Sequence, residues 1–160
     1  MAFNAIFEAV FTLLIAESPL IPTILGPKVP QNLRIYRASP QVANLLTTYE
    51  PNQPAEGWLV IEEPAPAMRQ ENAQMASNHE FLSLFFHVYA TTYAVAHAVL
   101  DVLDTFFHWS ILQQRDVQWG DRFLLFTRRS HETDKYEQAT KLYHKEIGYY
   151  LELVRVEDAA

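Results

Sequence analysis

A chain of 160 residues, 49% hydrophobic and 13% aromatic, is long enough to bury one core and too apolar for intrinsic disorder. Its formal charge of −7 disfavours a nucleic-acid binder, whose affinity comes from neutralising phosphates. Cysteine is absent, which excludes disulfides and thiolate metal sites and suits folding in a reducing cytoplasm.

All nine prolines fall between Pro19 and Pro66, so a proline-punctuated first part precedes a proline-free second part. At the N-terminus Phe3, Ile6, Phe7, Val10, Leu13 and Leu14 trace one helical face, predicting a helix over 3–16 that stops near Ser18-Pro19. This stretch has no basic leader and is interrupted by Asn4 and Glu8, so it does not read as a signal peptide. No apolar run approaches the ~20 residues that span a bilayer, and the chain is expected to be soluble, with no membrane partner. Residues 20–25 predict a short helical turn closed by Gly26-Pro27, and 33–37 a short edge strand. Residues 38–56, with Pro40, Pro51 and Pro54, predict a long loop. Trp58 to Ile61 predicts a strand, opened by Gly57 and closed by Pro64-Ala65-Pro66. Residues 64–80 then form a polar excursion far longer than a hairpin needs.

Residues 81–90 are β-branched and aromatic, with Leu82, Leu84, Phe86 and Val88 on one face and Phe81, Phe85 and Tyr89 on the other. After Thr91-Thr92, which reads as a helix N-cap, the period changes from two to about 3.6. Val95, Ala96, Val99, Leu100, Leu103, Phe106 and Phe107 then make a broad apolar stripe, with His97, Asp101, Asp104 and His108 on the opposite, wet face. An irregular segment, 109–120, is followed by a strand over 122–128 and a polar loop over 128–141. The last strand, 142–156, sets Ile147, Tyr149, Leu151 and Leu153 against Tyr150, Glu152, Val154 and Val156. The expected fold is one α+β domain over 1–160. It holds a mostly antiparallel sheet of four to five strands with two principal helices on one face.

Chemistry is hard to find in this sequence. Four isolated glycines make no phosphate loop, no serine has an activating context, and no His-Glu-x-x-His pattern occurs. His97, Asp101, Asp104 and His108 have the side chains of a metal site, but positions spread over three turns of one helix cannot converge on one ion. His87 and His144 read as hydrogen-bonded sheet histidines. Glu62-Glu63 is a carboxylate pair with no partner nearby in sequence. The basic residues Arg115, Arg122, Arg128, Arg129, Lys135, Lys141 and Lys145 read as a solvated surface. No catalytic, cofactor-binding or metal-binding residue is assigned. What the chain offers is surface to share: two strands are apolar on both faces, and helices cover only one.

Several local patterns occur in succession. An amphipathic N-terminal helix precedes a short apolar turn and Ile35-Tyr36. The strand ending His87-Val88-Tyr89-Ala90-Thr91-Thr92-Tyr93 runs into the Ala-rich helix start Ala94-Val95-Ala96-His97-Ala98. Leu142-Tyr143-His144-Lys145 enters a terminal strand. Over about two thirds of its length the chain thus resembles the tail-terminator (tail-completion) proteins of long-tailed bacteriophages. The length of 38–56, the excursion 64–80 and the insert 109–120 depart from that pattern, and leave a neighbouring neck protein open beside the terminator.

The resemblance implies a non-enzymatic virion protein of the tail or neck, assembled in the host cytoplasm, without cofactors. Such a protein forms a ring with itself, usually hexameric, which caps the tail tube protein, ends tail polymerisation and presents a surface to the head–tail connector or stopper. Genomic DNA would pass through the ring without specific binding. The contacts are expected from the loops 64–80 and 128–141, through Met68, Arg69, Glu71, Met75, Arg128, Arg129, Glu132, Asp134 and Lys135. Methionines suit adaptable interfaces, and mixed charges suit registered ones. Another head–tail connector component, or an oligomeric adaptor on the same fold, is the alternative. A small metal-binding enzyme using the His97–His108 face is the remote one.

Overall fold

A computed structural model describes residues 8–14, 21, 24, 35–37, 57–62, 65–66, 79–108, 118–119, 122–138 and 141–155. Helix α1 covers residues 8–14. The strands are β1 (Ile35–Arg37), β2 (Gly57–Ile61), β3 (Ala65–Pro66) and β4 (His79–Ala90), followed by helix α2 (Tyr93–Phe107). The chain continues with β5 (Gln118–Trp119), β6 (Arg122–Glu137) and β7 (Leu142–Arg155). They form one sheet in the order β1-β2-β4-β7-β6-β5, with β3 also on β4. Without the two-residue strands β3 and β5, the seven reduce to five, within the four to five expected, and the fold is α+β.

All pairings are antiparallel except β1 on β2, where Ile35 lies opposite Leu59. A parallel pair cannot be joined by a tight hairpin, which gives a physical reason for the length of 38–56. That segment lies outside the described residues, as do Phe3, Phe7, most of 64–80 and 109–117.

Strand β4 is central, flanked by β2 and β3 on one side and β7 along its whole length on the other. Leu82, Leu84, Phe86 and Val88 on one of its faces are buried with Leu59, Ile61, Ile147, Tyr149, Leu151 and Leu153. Helix α2 covers this face with Ala96, Val99, Leu100, Leu103 and Phe107, and α1 adds Val10, Leu13 and Leu14. Burial of each large side chain contributes ~1.5–3 kcal/mol. At the centre, Phe86, Phe107 and Tyr149 pack ring to ring at centroid distances of 5.2–5.8 Å.

The strand-to-helix switch occurs where the threonine pair predicts it. Thr92 is extended, and its hydroxyl accepts the Val95 N–H at 3.3 Å, satisfying one amide of the first turn. The helix stops at His108, whose backbone is extended again.

The expectation of a polar loop over 128–141 is corrected. Strand β6 runs on to Glu137, paired with β7 down to Leu142, and a turn that includes Gln138 and Lys141 separates them. Lys141 closes that turn at φ 57°, its N–H donating to the Glu137 carbonyl at 2.7 Å. A ladder is held by backbone hydrogen bonds, so polar side chains on both faces of an edge strand do not prevent it. Register shifts at Leu124/Phe126 and Arg129/His131 mark bulges in β6.

Candidate interaction surfaces

The quartet expected on the wet face of α2 is split by the fold. His97 and Asp101 are solvent-facing and 3.7 Å apart. Asp104 and His108, a turn or two later, are reached by β6 and β7. Asp104 Oδ1 accepts the Tyr149 hydroxyl at 2.7 Å, and Oδ2 accepts Arg129 Nη1 at 2.6 Å. His108 Nδ1 accepts the Arg129 backbone N–H at 2.9 Å, and the buried Thr127 hydroxyl donates to the Phe107 carbonyl at 2.8 Å. These bonds satisfy the end of the helix and fasten it to the sheet. Burial and then the hydrogen bond to Asp104 hold the Tyr149 phenol well above its ordinary pKa.

A second cluster lies on the same sheet face, beside the start of α2. Lys145 is in register with the core residues Ile147 and Tyr149 and is only 1% exposed, not part of a solvated basic surface. Its Nζ is 2.7 Å from Asp134 and 3.6 Å from Glu132, and 5.2 Å from the centre of the Tyr93 ring. The Asp134 contact is an ion pair without hydrogen-bond alignment. Tyr143 joins Tyr93 edge-on at 6.2 Å and Tyr136 at 4.9 Å, while His97 stacks on Tyr93 at 5.8 Å. Tyr93 (48% exposed) and Tyr136 (44%) are the large aromatic side chains that the described residues offer to solvent.

The opposite sheet face carries a polar relay. His87 Nε2 contacts Glu62 at 2.6 Å, and His87 Nδ1 meets His144 Nε2 at 2.9 Å. His144 Nδ1 faces Glu137 at 3.4 Å. The Tyr89 ring stacks on His144 at 4.4 Å. Burial first, then the charge that His87 would carry, lowers the pKa of His144. Tyr89 is raised to about 12, by burial and then by Glu137, Glu146 and Glu62. His131 sits 3.4 Å from Glu146. Phe85 lies across the bare backbone of Gly148, edge-on to the His131 ring. The antiparallel register of β2, β4 and β7 supplies the partner that Glu62 lacks in sequence. Further along this face Arg128 is exposed and lies 5.6 Å over the Tyr150 ring, against which Phe81 packs at 5.7 Å.

Of the residues assigned to contacts, Met68, Arg69, Glu71 and Met75 lie outside the described residues. Arg128, Arg129, Glu132, Asp134 and Lys135 belong to strand β6 and not to a loop. Arg129 is engaged by Asp104, Glu132 and Asp134 enclose Lys145, and Lys135 is exposed beside Glu137 at 3.6 Å. No sequence pattern brings Tyr93, Tyr136 and Tyr143 together, because their convergence needs the β6–β7 pairing. Among the described residues no three His, Asp or Glu side chains are grouped to hold a metal ion. No described helix is long and apolar enough to cross a membrane.

No known family profile and no curated protein matches this sequence. Among solved structures, the fold is similar to a chain of the virion of the native gene transfer agent (GTA) particle. The TM-score is 0.55 and the identity 10%, over 84% of each chain.

Proposed function

We propose that this protein is a structural, non-enzymatic component of a phage-type virion. Its subunits close into a ring, of six copies, that caps the tail tube, ends tail polymerisation and presents the head-joining surface. The observation that carries this reading is the fold it shares with a GTA virion chain over 84% of both chains. The order of elements and local wording that resemble tail terminators supply the finer role. Dimensions agree: a 160-residue body has a radius of gyration of ~15 Å and a diameter of ~40 Å. Six such bodies in a ring leave an opening of similar width, and a net charge of −7 keeps that passage from gripping DNA.

In this reading the partners are the tail tube protein and the head–tail connector, with Met68, Arg69, Glu71 and Met75 among the contacts. A second reading, another neck or connector component, is favoured by the breadth of the likeness, which names a virion and no position within it.

Tail-tube subunits polymerising in the presence of the purified protein test the terminator role. Elongation should stop, and a mass measurement should find a closed ring at the tube end. Deleting residues 67–77 should leave the fold intact and abolish ring formation or capping. Tubes that elongate unchanged in the protein's presence would sink the terminator reading.

A further inference from the structure

We propose that a second copy of this chain docks the surface around Arg128 and Tyr150 onto the exposed patch of Tyr93 and Tyr136. The proposal rests on the ring reading and names the two faces that would close it.

The two surfaces are complementary in charge and chemistry. Glu132 and Asp134 reach Lys145 against the Tyr93 ring, and Asp101, its side chain 69% exposed, stands two turns along α2 beside the His97 that stacks on Tyr93. The cation against Tyr93, Lys145, is buried and already taken by Glu132 and Asp134. The patch therefore faces outward as tyrosine rings with a negative rim. Tyrosine faces and carboxylates together favour an arginine, by cation–π contact and by charge-assisted hydrogen bonds. Among the described residues, Arg128 is the exposed guanidinium that fits. It is presented on Tyr150 and Phe81 and has no carboxylate within ion-pair distance among the described residues. Arg129, its neighbour, is held inward by Asp104 and cannot serve.

The fold places these surfaces on opposite faces of the sheet. Tyr136 pairs with Tyr143, on the side of Lys145 and Tyr149, whereas Arg128 pairs with Tyr150 on the other side. Along β6 Arg128 and Tyr136 are eight residues apart, roughly 26 Å at strand rise. A patch that fits a different patch on the next copy makes a heterologous contact. Such contacts propagate head to tail until rotation closes them. Tyrosine and arginine are also, with tryptophan, the residues enriched at interface hot spots.

The experiment uses two variants of the full chain, Tyr136→Glu and Arg128→Glu, with sedimentation or native mass as readout. The wild-type protein should run as a ring, and each variant alone as a monomer with an unchanged circular dichroism spectrum. An equimolar mixture should then give heterodimers and nothing larger. Each variant keeps one sound surface, so the mixture can form one junction only. Should Tyr136→Glu misfold, Asp101→Lys on the exposed side of α2 takes its place. A wild-type ring that either folded variant still forms overturns this docking while leaving the ring reading intact. A mixture of monomers does the same. A wild-type chain that stays monomeric sinks both.

Discussion

The Tyr149 hydroxyl donates to Asp104 Oδ1 at 2.7 Å, joining two residues 45 apart in sequence, one on a core strand and one on the last turn of α2. The other oxygen of Asp104 accepts Arg129. One carboxylate thus satisfies a buried phenol and a half-buried guanidinium while fixing the angle between helix and sheet. Removing it strands both donors. Asp104→Ala should lower stability by about 1–3 kcal/mol, seen as a lower urea midpoint at unchanged m-value. Asp104→Asn should cost less, since its amide oxygen still accepts from Tyr149. Equal losses for the two variants would show that the pair with Arg129, and not the buried phenol, dominates.

Gly148 is needed for what lies above it. A Cβ built at this position would be 2.8 Å from Phe85 Cε1 and 3.2 Å from His131 Cβ. The ring of Phe85 must therefore shift when any side chain is added. Gly148→Ala should destabilise by about 1–3 kcal/mol through overpacking. In the Phe85→Ala background the same change should cost less, leaving only the 3.2 Å approach to His131 Cβ, and the coupling read from the double-mutant cycle measures the clash with the ring. Additive effects would place the strain elsewhere.

His144 gives the fold a pH dependence whose sign can be worked out. Its pKa is lowered in the folded state, by burial and by His87, so the unfolded chain binds the proton more readily. Stability from this group is fully present above the unfolded pKa of 6.5 and is lost as pH falls through the folded value. Glu137, facing Nδ1, opposes the shift but is outweighed. Chemical denaturation should show a falling urea midpoint from pH 7 towards 5, and His144→Gln should flatten that slope. A slope unchanged by the substitution would assign the acid sensitivity to other groups.

The legible parts of the fold are those where side-chain pattern and backbone state agree. Thr91-Thr92 separates a period of two from one of 3.6, and the burial of Leu82 to Val88 and of Val99 to Phe107 follows from those periods. Strand β6 was legible only to Arg128, because beyond it the ladder carries polar side chains on both faces and leaves no apolar alternation to read. The site was less legible than the fold. Lys145 stands at i−2 from Ile147 in the buried series, so strict alternation could have placed it inward, yet its charge argued for solvent. His87 and Glu62 meet through strand pairing, which no local pattern contains. Nor does a helical wheel show how far the sheet reaches, so it sets Asp104 and His108 on the wet face.

Lys145 separates the cost of a buried charge from the value of its contacts. Its ammonium is almost wholly enclosed, while Asp134 and Glu132 keep 44% and 31% of their side chains exposed. Enclosing the cation costs solvation, and its partly wet partners return only a screened attraction. The stem, by contrast, packs in line with Ile147 and beneath Tyr93. Lys145→Met preserves that volume, removes the ion and leaves two carboxylates that water can still solvate. Its stability should therefore equal or exceed that of the native chain. Lys145→Ala removes the stem as well and should fall below Lys145→Met by the cost of a cavity, about 2–5 kcal/mol. Thermal and urea unfolding of the two variants read this directly. A Met variant as unstable as the Ala variant would mean that the ion pair and the cation–π contact, not the packing, hold this end of the hairpin.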